Sequence, residues 1–150
     1  MIESNREIKK PSEKREIMPR FEASALRGYC VSVLTASGVE RSCAEAVADA
    51  LIDAELTGVS THGVSRLAVY MQRMDAGVMS RENNIRIVRE STSTLVVDAG
   101  NSLGAAAAKF AMERCIAKAK ETGCCFASVH SSNHFGTAAY YTRLAAAQDM

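Results

Sequence analysis

The spacing of apolar residues changes along this chain of 150 residues, and this change restricts the fold more than any other feature. From Phe21 to Gly77, apolar residues recur at helical spacing in three successive segments. The period then shortens to two at Ile85 and Ile87, and residues 94–98 follow as a more apolar run. The pattern therefore predicts three helices followed by two strands.

The last third of the chain returns to the helical period with one interruption. A strong helical pattern runs from Leu103 to Lys120, a short strand-like run spans 124–129, and a final helical pattern ends the chain. This order of elements predicts a mixed α/β fold, in which an N-terminal helical subdomain precedes an incomplete αβ domain.

Glycines and one polar segment indicate where the helices begin and end. Gly38, Gly58 and Gly77 are expected to end the first three helices, because glycine readily adopts the left-handed conformation found there. The segment Ser42-Cys43-Ala44-Glu45 fits a capping box, in which Ser42 accepts from a helical NH and Glu45 reaches back to the cap NH. We therefore predict that Ser42 caps the second helix.

Composition divides the chain into three parts. Residues 1–20 contain both prolines and many charges with no sustained apolar period, which predicts a disordered extension. Residues 21–77 form the N-terminal helical subdomain, and residues 78–150 begin the αβ domain. The last helical pattern reaches Met150 without a glycine or proline, so we expect this second domain to be truncated.

The charge balance and the cysteines argue against several classes of protein. With 18 basic and 17 acidic residues, the net charge of +1 gives no electrostatic reason to expect a nucleic acid or an anionic membrane as partner. No run of 18 apolar residues is present, and the polar, mixed-charge N-terminus fits neither a secretory nor a transit signal. A cytoplasmic location is expected. The five cysteines form no CxxC pair and are expected to be reduced core residues.

His62 lies where a ligand could approach closely, since Gly63 after it has no side chain. Arg66 follows about one helical turn later, and its guanidinium could hold a carboxylate through two hydrogen bonds. The alternative is a histidine that caps a helix and an arginine on a solvated face. The spacing alone favours this alternative.

His134 lies in the segment Ser131-Ser132-Asn133-His134-Phe135-Gly136, directly after a strand-like run. A loop at a strand end often carries a catalytic group, and histidine titrates near neutrality. His134 could therefore take a hydroxyl proton while a hydride leaves the carbon. Asn133 could hydrogen-bond a cofactor amide or the imidazole. A polar turn with a capping Asn or Ser is an equally supported alternative.

Metal and phosphate sites are not favoured by the pattern. His130 and His134 are four residues apart, but they lie in a loop without an adjacent carboxylate, so we predict no metal site. The turn from Asp98 to Gly104 lacks both the GxGxxG and the P-loop spacing, which argues against a Rossmann phosphate site. Asp98 is a possible acid or cofactor contact, although an acid at a strand end is more often a cap.

Tyr140 and Tyr141 are adjacent in the last helical pattern. We expect one of them to face the core and the other the surface.

Three segments carry a resemblance to one enzyme family. They are Ala54–Leu67 (AELTGVSTHGVSRL), Val97–Gly104 (VDAGNSLG) and Ser131–Gly136 (SSNHFG), the last followed by the two tyrosines. In this order they resemble the segments A-D-x-x-G-x-x-S-H-G-x-x-R, D-G-x-x-x-x-G and S-x-H-x-G of the malate/L-lactate dehydrogenase family. This family is unrelated to the Rossmann lactate dehydrogenases and includes ureidoglycolate, sulfolactate and piperideine-2-carboxylate oxidoreductases.

The resemblance implies an oxidoreductase that transfers a hydride between NAD or NADP and a small 2-hydroxy or 2-oxo acid. It implies that His134 is the proton acceptor, that His62 is a second active-site histidine, and that Arg66 and Thr61 bind the substrate. Asn133 and Tyr140 are the expected cofactor contacts. The resemblance also implies a non-Rossmann fold, an active site between domains and a homodimer of the full-length enzyme.

The chain departs from the family pattern in three ways. Thr61 stands where the family usually has serine, which keeps the hydroxyl and adds a methyl group. Ala99 replaces a glycine, which mildly restricts the backbone. Family members are more than twice as long, so the resemblance covers their N-terminal part only and omits most of the nicotinamide-binding domain.

Two other hypotheses stay open. The chain could be a catalytically inactive remnant, which would expose a sheet edge and apolar surface. It could also be a helical interaction module, in which His62, Arg66 and His134 would lie far apart. The sequence does not choose among malate, lactate, ureidoglycolate and a cyclic imine as substrate, nor between NAD and NADP.

Overall fold

The computed structural model describes residues 19–150, so nearly all of the extension predicted for residues 1–20 lies outside the described residues. Five helices, a short 3-10 turn and three strands follow one another in the predicted order, which confirms the mixed α/β fold. The elements are α1 (Ala23–Ala36), α2 (Arg41–Leu56), the 3-10 turn (Ser60–His62), α3 (Ser65–Asp75), β1 (Arg86–Glu90), β2 (Thr94–Asp98), α4 (Gly104–Thr122), β3 (Phe126–His130) and α5 (Ala138–Ala146). No helix within residues 19–150 is long and apolar enough to cross a membrane.

The sheet places two loops side by side at one of its ends. Its strand order is β1-β2-β3, with β1 antiparallel and β3 parallel to β2. Helix α4 connects the parallel pair, as a parallel connection requires. Asp98 at the end of β2 pairs with His130 at the end of β3, and Asn101 NH donates to the Ser131 carbonyl at 2.8 Å. The chain therefore leaves both strands at the same edge.

The larger hydrophobic core joins the first three helices to α4 and α5. It includes Leu34, Leu51 and Met74 from the first half of the chain and Leu103 and Tyr141 from the second. A smaller core lies between the sheet and α4 and contains Leu95, Val97 and Ala111. The boundary at residue 77 stays a prediction, and the larger core contains side chains from both sides of it.

The capping box predicted for α2 is wrong. The helix begins at Arg41, and Glu40 occupies the cap position without a side-chain cap. Ser42 donates instead to Glu40 Oε1 at 2.6 Å, and Glu45 accepts from Arg41 Nε at 2.8 Å. The side chains of Ser42 and Glu45 therefore hydrogen-bond to nearby charged residues instead of forming the predicted capping box. Gly38, by contrast, follows α1 in the left-handed region, with φ of +94°, as predicted.

The expectations for the cysteines and tyrosines are only partly correct. Cys30 and Cys43 are buried, but Cys124 is exposed and Cys115 and Cys125 are half-buried, so these three are not full core residues. All five are free thiols.

Tyr140 and Tyr141 are both buried, with 9% and 4% of their surfaces exposed, so the expectation of one surface tyrosine is wrong. Both rings are enclosed because α5 packs against α2 on one side and α4 on another.

Candidate active site

His62 and His134 lie next to each other. Their ring centroids are 5.3 Å apart, and the ring planes are tilted by 30°. His62 ends the 3-10 turn between α2 and α3, whereas His134 lies in the loop after β3. This contact contradicts the interaction-module hypothesis, which required the two histidines to be far apart. We call the surface around this histidine pair the candidate site.

The missing side chain of Gly104 positions the loop that carries His134. A Cβ atom on Gly104 would lie within 3.0 Å of the carbonyl oxygens of both Asn133 and His134. Because these atoms belong to the backbone, they could not rotate away. The first turn of α4 thus packs directly on the loop, which the apolar period of α4 alone does not predict.

Asn133 ties the same loop to the turn after β2. Its Nδ2 donates to the carbonyl oxygens of Asn101 and Ser102 and to Asn101 Oδ1, each at 3.0 Å. Its Oδ1 accepts a long hydrogen bond of 3.4 Å from Arg73. The Asn133 amide is therefore used within the protein rather than directed at the imidazole of His134.

His62 and its turn are held by two neighbouring polar groups. The Thr61 hydroxyl lies 3.0 Å from His62 Nδ1. Glu55 reaches the turn from α2, and its Oε1 accepts from the Val64 NH at 2.8 Å, at the N-terminus of α3. A Cβ on Gly63 would collide with this carboxylate, so Gly63 permits the close approach of α2 and the turn. Gly63 thus allows the close packing of α2 as well as the approach of a ligand to His62.

Arg66 lies beside the histidine pair, and the two terminal nitrogens of its guanidinium are available to a ligand. Its Nε donates to the Thr61 carbonyl at 2.6 Å, which fixes the base of the guanidinium. Within residues 19–150, neither terminal nitrogen of Arg66 makes a hydrogen bond to protein. A guanidinium held in this way can bind a carboxylate through its remaining donors.

Tyr70 is a site residue that the sequence analysis missed. It lies on the buried side of α3, and its hydroxyl lies 2.9 Å from His134 Nδ1. Burial raises the pKa of Tyr70, so its hydroxyl stays protonated near neutral pH. A signal was present in the sequence, because Tyr70 follows Arg66 by four residues and therefore lies on the same helix face.

The surroundings of His134 favour its neutral form. Partial burial of the imidazole lowers its pKa most, and the positive charges of Arg66 and His62 lower the pKa further. A neutral imidazole retains one basic nitrogen, and the Tyr70 hydroxyl can either accept from Nδ1 or donate to it. The arrangement can hold an acid through Arg66 and exchange a proton through His134.

Asp98, the possible acid or cofactor contact, has a structural role. Asp98 Oδ1 accepts from the Gly100 NH at 2.9 Å and its Oδ2 pairs with Arg86 at 2.5 Å, so the aspartate closes the turn after β2. Within residues 19–150, no three His, Cys, Asp or Glu side chains are grouped so that they could hold a metal ion.

Comparison with known proteins agrees with this geometry. The family model for malate/L-lactate dehydrogenase matches residues 21–150. The chain belongs to the malate/L-lactate dehydrogenase family.

Members of this family from archaea are among its relatives. The chain is 39% identical to the L-sulfolactate dehydrogenase of Methanothermobacter thermautotrophicus over 134 residues, which is 89% of this chain and 38% of that protein. It is 36% identical to the malate/(S)-sulfolactate dehydrogenase of Methanothermus fervidus over 124 residues, covering 83% and 37%. The solved structure of malate dehydrogenase from Pyrococcus horikoshii OT3 matches with a TM-score of 0.85 and 37% identity, over 88% of this chain and 38% of that one. The chain thus spans little more than a third of the length of these family members.

The departures from the family motifs are accommodated without strain. The Thr61 hydroxyl contacts His62, and Ala99 is fully buried. The positive φ angles of the turn fall on Gly100, at +54°, and on Asn101, at +60°. The glycine-to-alanine departure therefore does not demand a left-handed alanine.

Tyr140, expected to contact the cofactor, packs in the larger core. Its ring meets Tyr141 edge-on, with centroids 5.0 Å apart. Burial, together with the negative charges of Asp49 and Asp53, raises the pKa of Tyr140 to about 12. Its charged neighbours include two acidic residues of α2, and a cofactor contact of Tyr140 stays a prediction.

Proposed function

We propose that this chain supplies the substrate-binding and proton-transfer part of a nicotinamide-dependent dehydrogenase for small 2-hydroxy acids. The observation that carries the proposal is the contact between His62 and His134, with Arg66 beside it. Membership of a family of hydroxyacid dehydrogenases supports the same chemistry.

Arg66 binds the substrate carboxylate through its two terminal nitrogens in this proposal. With the 2-hydroxyl next to the histidine pair, Nε2 of His134 accepts the hydroxyl proton as carbon 2 is oxidised. This step uses the tautomer in which Nδ1 of His134 carries the hydrogen and donates to the Tyr70 oxygen, because Nε2 is then free to accept the proton. In the reverse direction the protonated His134 returns the proton to the 2-oxo group.

His62 and Thr61 complete the polar wall of the site. The Thr61 hydroxyl orients His62 through Nδ1, so the other ring nitrogen is left for the substrate. Arg66 places positive charge beside His134, which favours an anionic substrate.

Oxidation at carbon 2 needs a hydride acceptor, and the family resemblance assigns this role to NAD or NADP. The N-terminus of α4 does not offer a fitting pyrophosphate cradle, because it is covered by the backbone of Asn133 and His134. The Asn133 amide is likewise engaged within the protein. We therefore assign the main cofactor contacts to parts of the family fold that this chain does not cover.

The relatives suggest which acids to try first. Their names give malate and sulfolactate as substrates, and both are small 2-hydroxy acids with a second acidic group. A homodimer of the full-length form and a cytoplasmic location also belong to the proposal. The five free thiols fit a reducing compartment.

Calorimetry with NAD and NADP tests the proposal on two proteins, the 150-residue chain and a longer chain that includes any coding sequence downstream. We expect only the longer chain to bind, and to oxidise malate or sulfolactate. The variant His134→Gln should keep cofactor binding and lose turnover, whereas His130→Gln, an exposed histidine four residues earlier, should retain both.

Each other outcome has a defined meaning. If neither protein binds a nicotinamide nucleotide, the enzymatic proposal fails and the family describes the fold alone. If the longer chain binds but does not turn over any 2-hydroxy acid, the inactive-remnant hypothesis is favoured. If the 150-residue chain binds as tightly as the longer one, our assignment of the cofactor contacts is wrong.

A further inference from the structure

Two cysteines outside the candidate site lie together in one surface groove. Cys115 belongs to α4, and Cys125 directly precedes β3. Both line an apolar groove of about 380 Å³, together with Phe126, Phe135 and Tyr141. Neither cysteine has a role in the proposed proton transfer.

The two thiols are close enough to interact directly. The Cys115 and Cys125 side chains line the same groove, and both pack against the small core of Leu95, Val97 and Ala111. Both are half-buried, whereas the neighbouring Cys124 is exposed. The fold therefore brings together one specific pair out of the three cysteines in this region.

We propose that Cys115 and Cys125 form an intrachain disulfide when the chain is exposed to a hydroperoxide. This site of oxidative modification is independent of the proposed dehydrogenase function. Two thiols that line one groove and pack against one small core, on α4 and at the start of β3, need little movement to reach bonding geometry.

The reaction proceeds in two balanced steps. The Cys125 thiolate attacks a peroxide oxygen, so that an S–O bond forms, the O–O bond breaks, and hydroxide leaves and is protonated. The Cys115 sulfur then attacks the sulfenic sulfur, an S–S bond forms, and water leaves with the thiol proton. Two thiols lose two electrons in total, and hydrogen peroxide is reduced to two molecules of water.

The order of attack follows from the surroundings of the two sulfurs. Burial, with the neighbouring Cys125, raises the pKa of Cys115 to about 12, so Cys115 remains a thiol at neutral pH. Cys125 is therefore the first nucleophile and Cys115 the resolving thiol.

The bond would fasten α4 to β3 next to the loop of His134. The same groove is lined by Phe135, which follows His134, and by Tyr141, whose hydroxyl donates to the Phe135 carbonyl. Oxidation thus stiffens the wall behind the candidate site, and we expect the melting temperature to rise by several degrees.

Peptide mapping after treatment of the folded 150-residue chain with hydrogen peroxide tests this assignment. Trypsin cleaves after Arg114, Lys118 and Lys120, so Cys115 and the vicinal Cys124 and Cys125 fall on different peptides. We expect these two peptides to be joined, with the loss of two hydrogen atoms from the whole chain, and the link to be reversed by a reductant.

Matched variants identify the partner of Cys115. Cys124→Ser should retain the link, and Cys125→Ser should abolish it. Oxidation in denaturant should lose this selectivity, because the folded contact is then absent. A link that persists in Cys125→Ser and disappears in Cys124→Ser overturns the assignment. So does an intermolecular disulfide, or sulfinic acid formation without any link.

Discussion

At the scale of single residues, the chemistry of the candidate site depends on the environment of one imidazole. His134 is held between Tyr70 and His62, and Arg66 adds positive charge from α3. Arg66 and His62 disfavour a second proton on the ring, and Tyr70 orients the ring through its contact with Nδ1. His134 is therefore prepared to accept a proton at neutral pH.

The lowered pKa of His134 predicts a specific acid response. We expect its titration, followed by NMR of the ring protons, to have a midpoint below about 6.5, the value for an unperturbed histidine. Replacing Arg66 by Met should raise this midpoint, because one of the causes that lower it is removed. Because the folded pKa lies below the unfolded one, the stabilisation from neutral His134 is present above about pH 6.5 and is lost as pH falls through the folded pKa. A midpoint above 6.5 in the native chain would contradict the geometry.

Tyr70 is expected to act as a positioning residue for His134. Tyr70→Phe removes one hydrogen bond, worth about 0.5–1.5 kcal/mol, so turnover of the longer chain should fall by about two- to tenfold. KM should change less than kcat, and nitrogen NMR of the 150-residue chain should show a mixture of His134 tautomers.

The control for Tyr70 is Tyr29→Phe, since Tyr29 is exposed on α1. It should leave both the tautomer and the turnover unchanged. An unaltered tautomer in Tyr70→Phe would show that the contact to Nδ1 does not orient the ring.

At the scale of elements, the site depends on how α4 meets the loop after β3. The parallel pairing of β2 and β3 brings the turn of Asn101 and the loop of Asn133 together, and Asn133 then joins them by three hydrogen bonds. The first turn of α4 closes on this loop at Gly104. The two loops and the helix therefore support His134 as one unit.

Two glycine substitutions with opposite expected signs test this packing. Gly104→Ala forces a Cβ into the backbone of Asn133 and His134, and we expect unfolding to become easier by about 1–3 kcal/mol, as for other overpacked sites. Gly28→Ala, within α1, meets nothing within 4 Å and should stabilise the chain by about 0.5–1 kcal/mol. Denaturant unfolding measures both. An equal effect of the two substitutions would mean that α4 does not pack on the loop in this way.

At the scale of the whole molecule, one face of the described chain is unusually apolar. Phe126 is 68% exposed, Phe135 44% and Val129 36%, and all three line the groove beside β3. Within residues 19–150, β3 is an edge strand of the sheet. An apolar surface next to a strand edge favours association between copies of a chain.

We therefore expect the 150-residue chain to self-associate as its concentration rises, as seen by sedimentation velocity. Phe126→Lys should weaken this association at least several-fold, because it places a charge in the apolar face and beside the strand edge. Val88→Lys is the matched control, since Val88 is exposed on β1 at the opposite edge of the sheet. Equal effects of the two substitutions, or a monomer at every concentration, would contradict this prediction.

Much of the fold could be predicted from the order of residues. The helical and alternating periods locate the elements within a few residues, and β2 coincides with the predicted run from Thr94 to Asp98. These features are local, because the period of apolar side chains follows directly from the geometry of one helix or strand. The motifs around His62 and His134 were also visible, although the residues alone left their roles open.

Long-range packing supplied the rest, and it also explains the errors. The Tyr70 contact, the need for glycine at position 104 and the burial of both Tyr140 and Tyr141 arise where elements distant in sequence meet. Ser42 fits a capping pattern, but it bonds to Glu40 in the folded chain. Periodicity describes which face of an element is apolar, whereas the partner of that face depends on the parallel crossover through α4 and on the docking of three helices against it. The histidine pair exists because this crossover carries His134 back to the turn of His62.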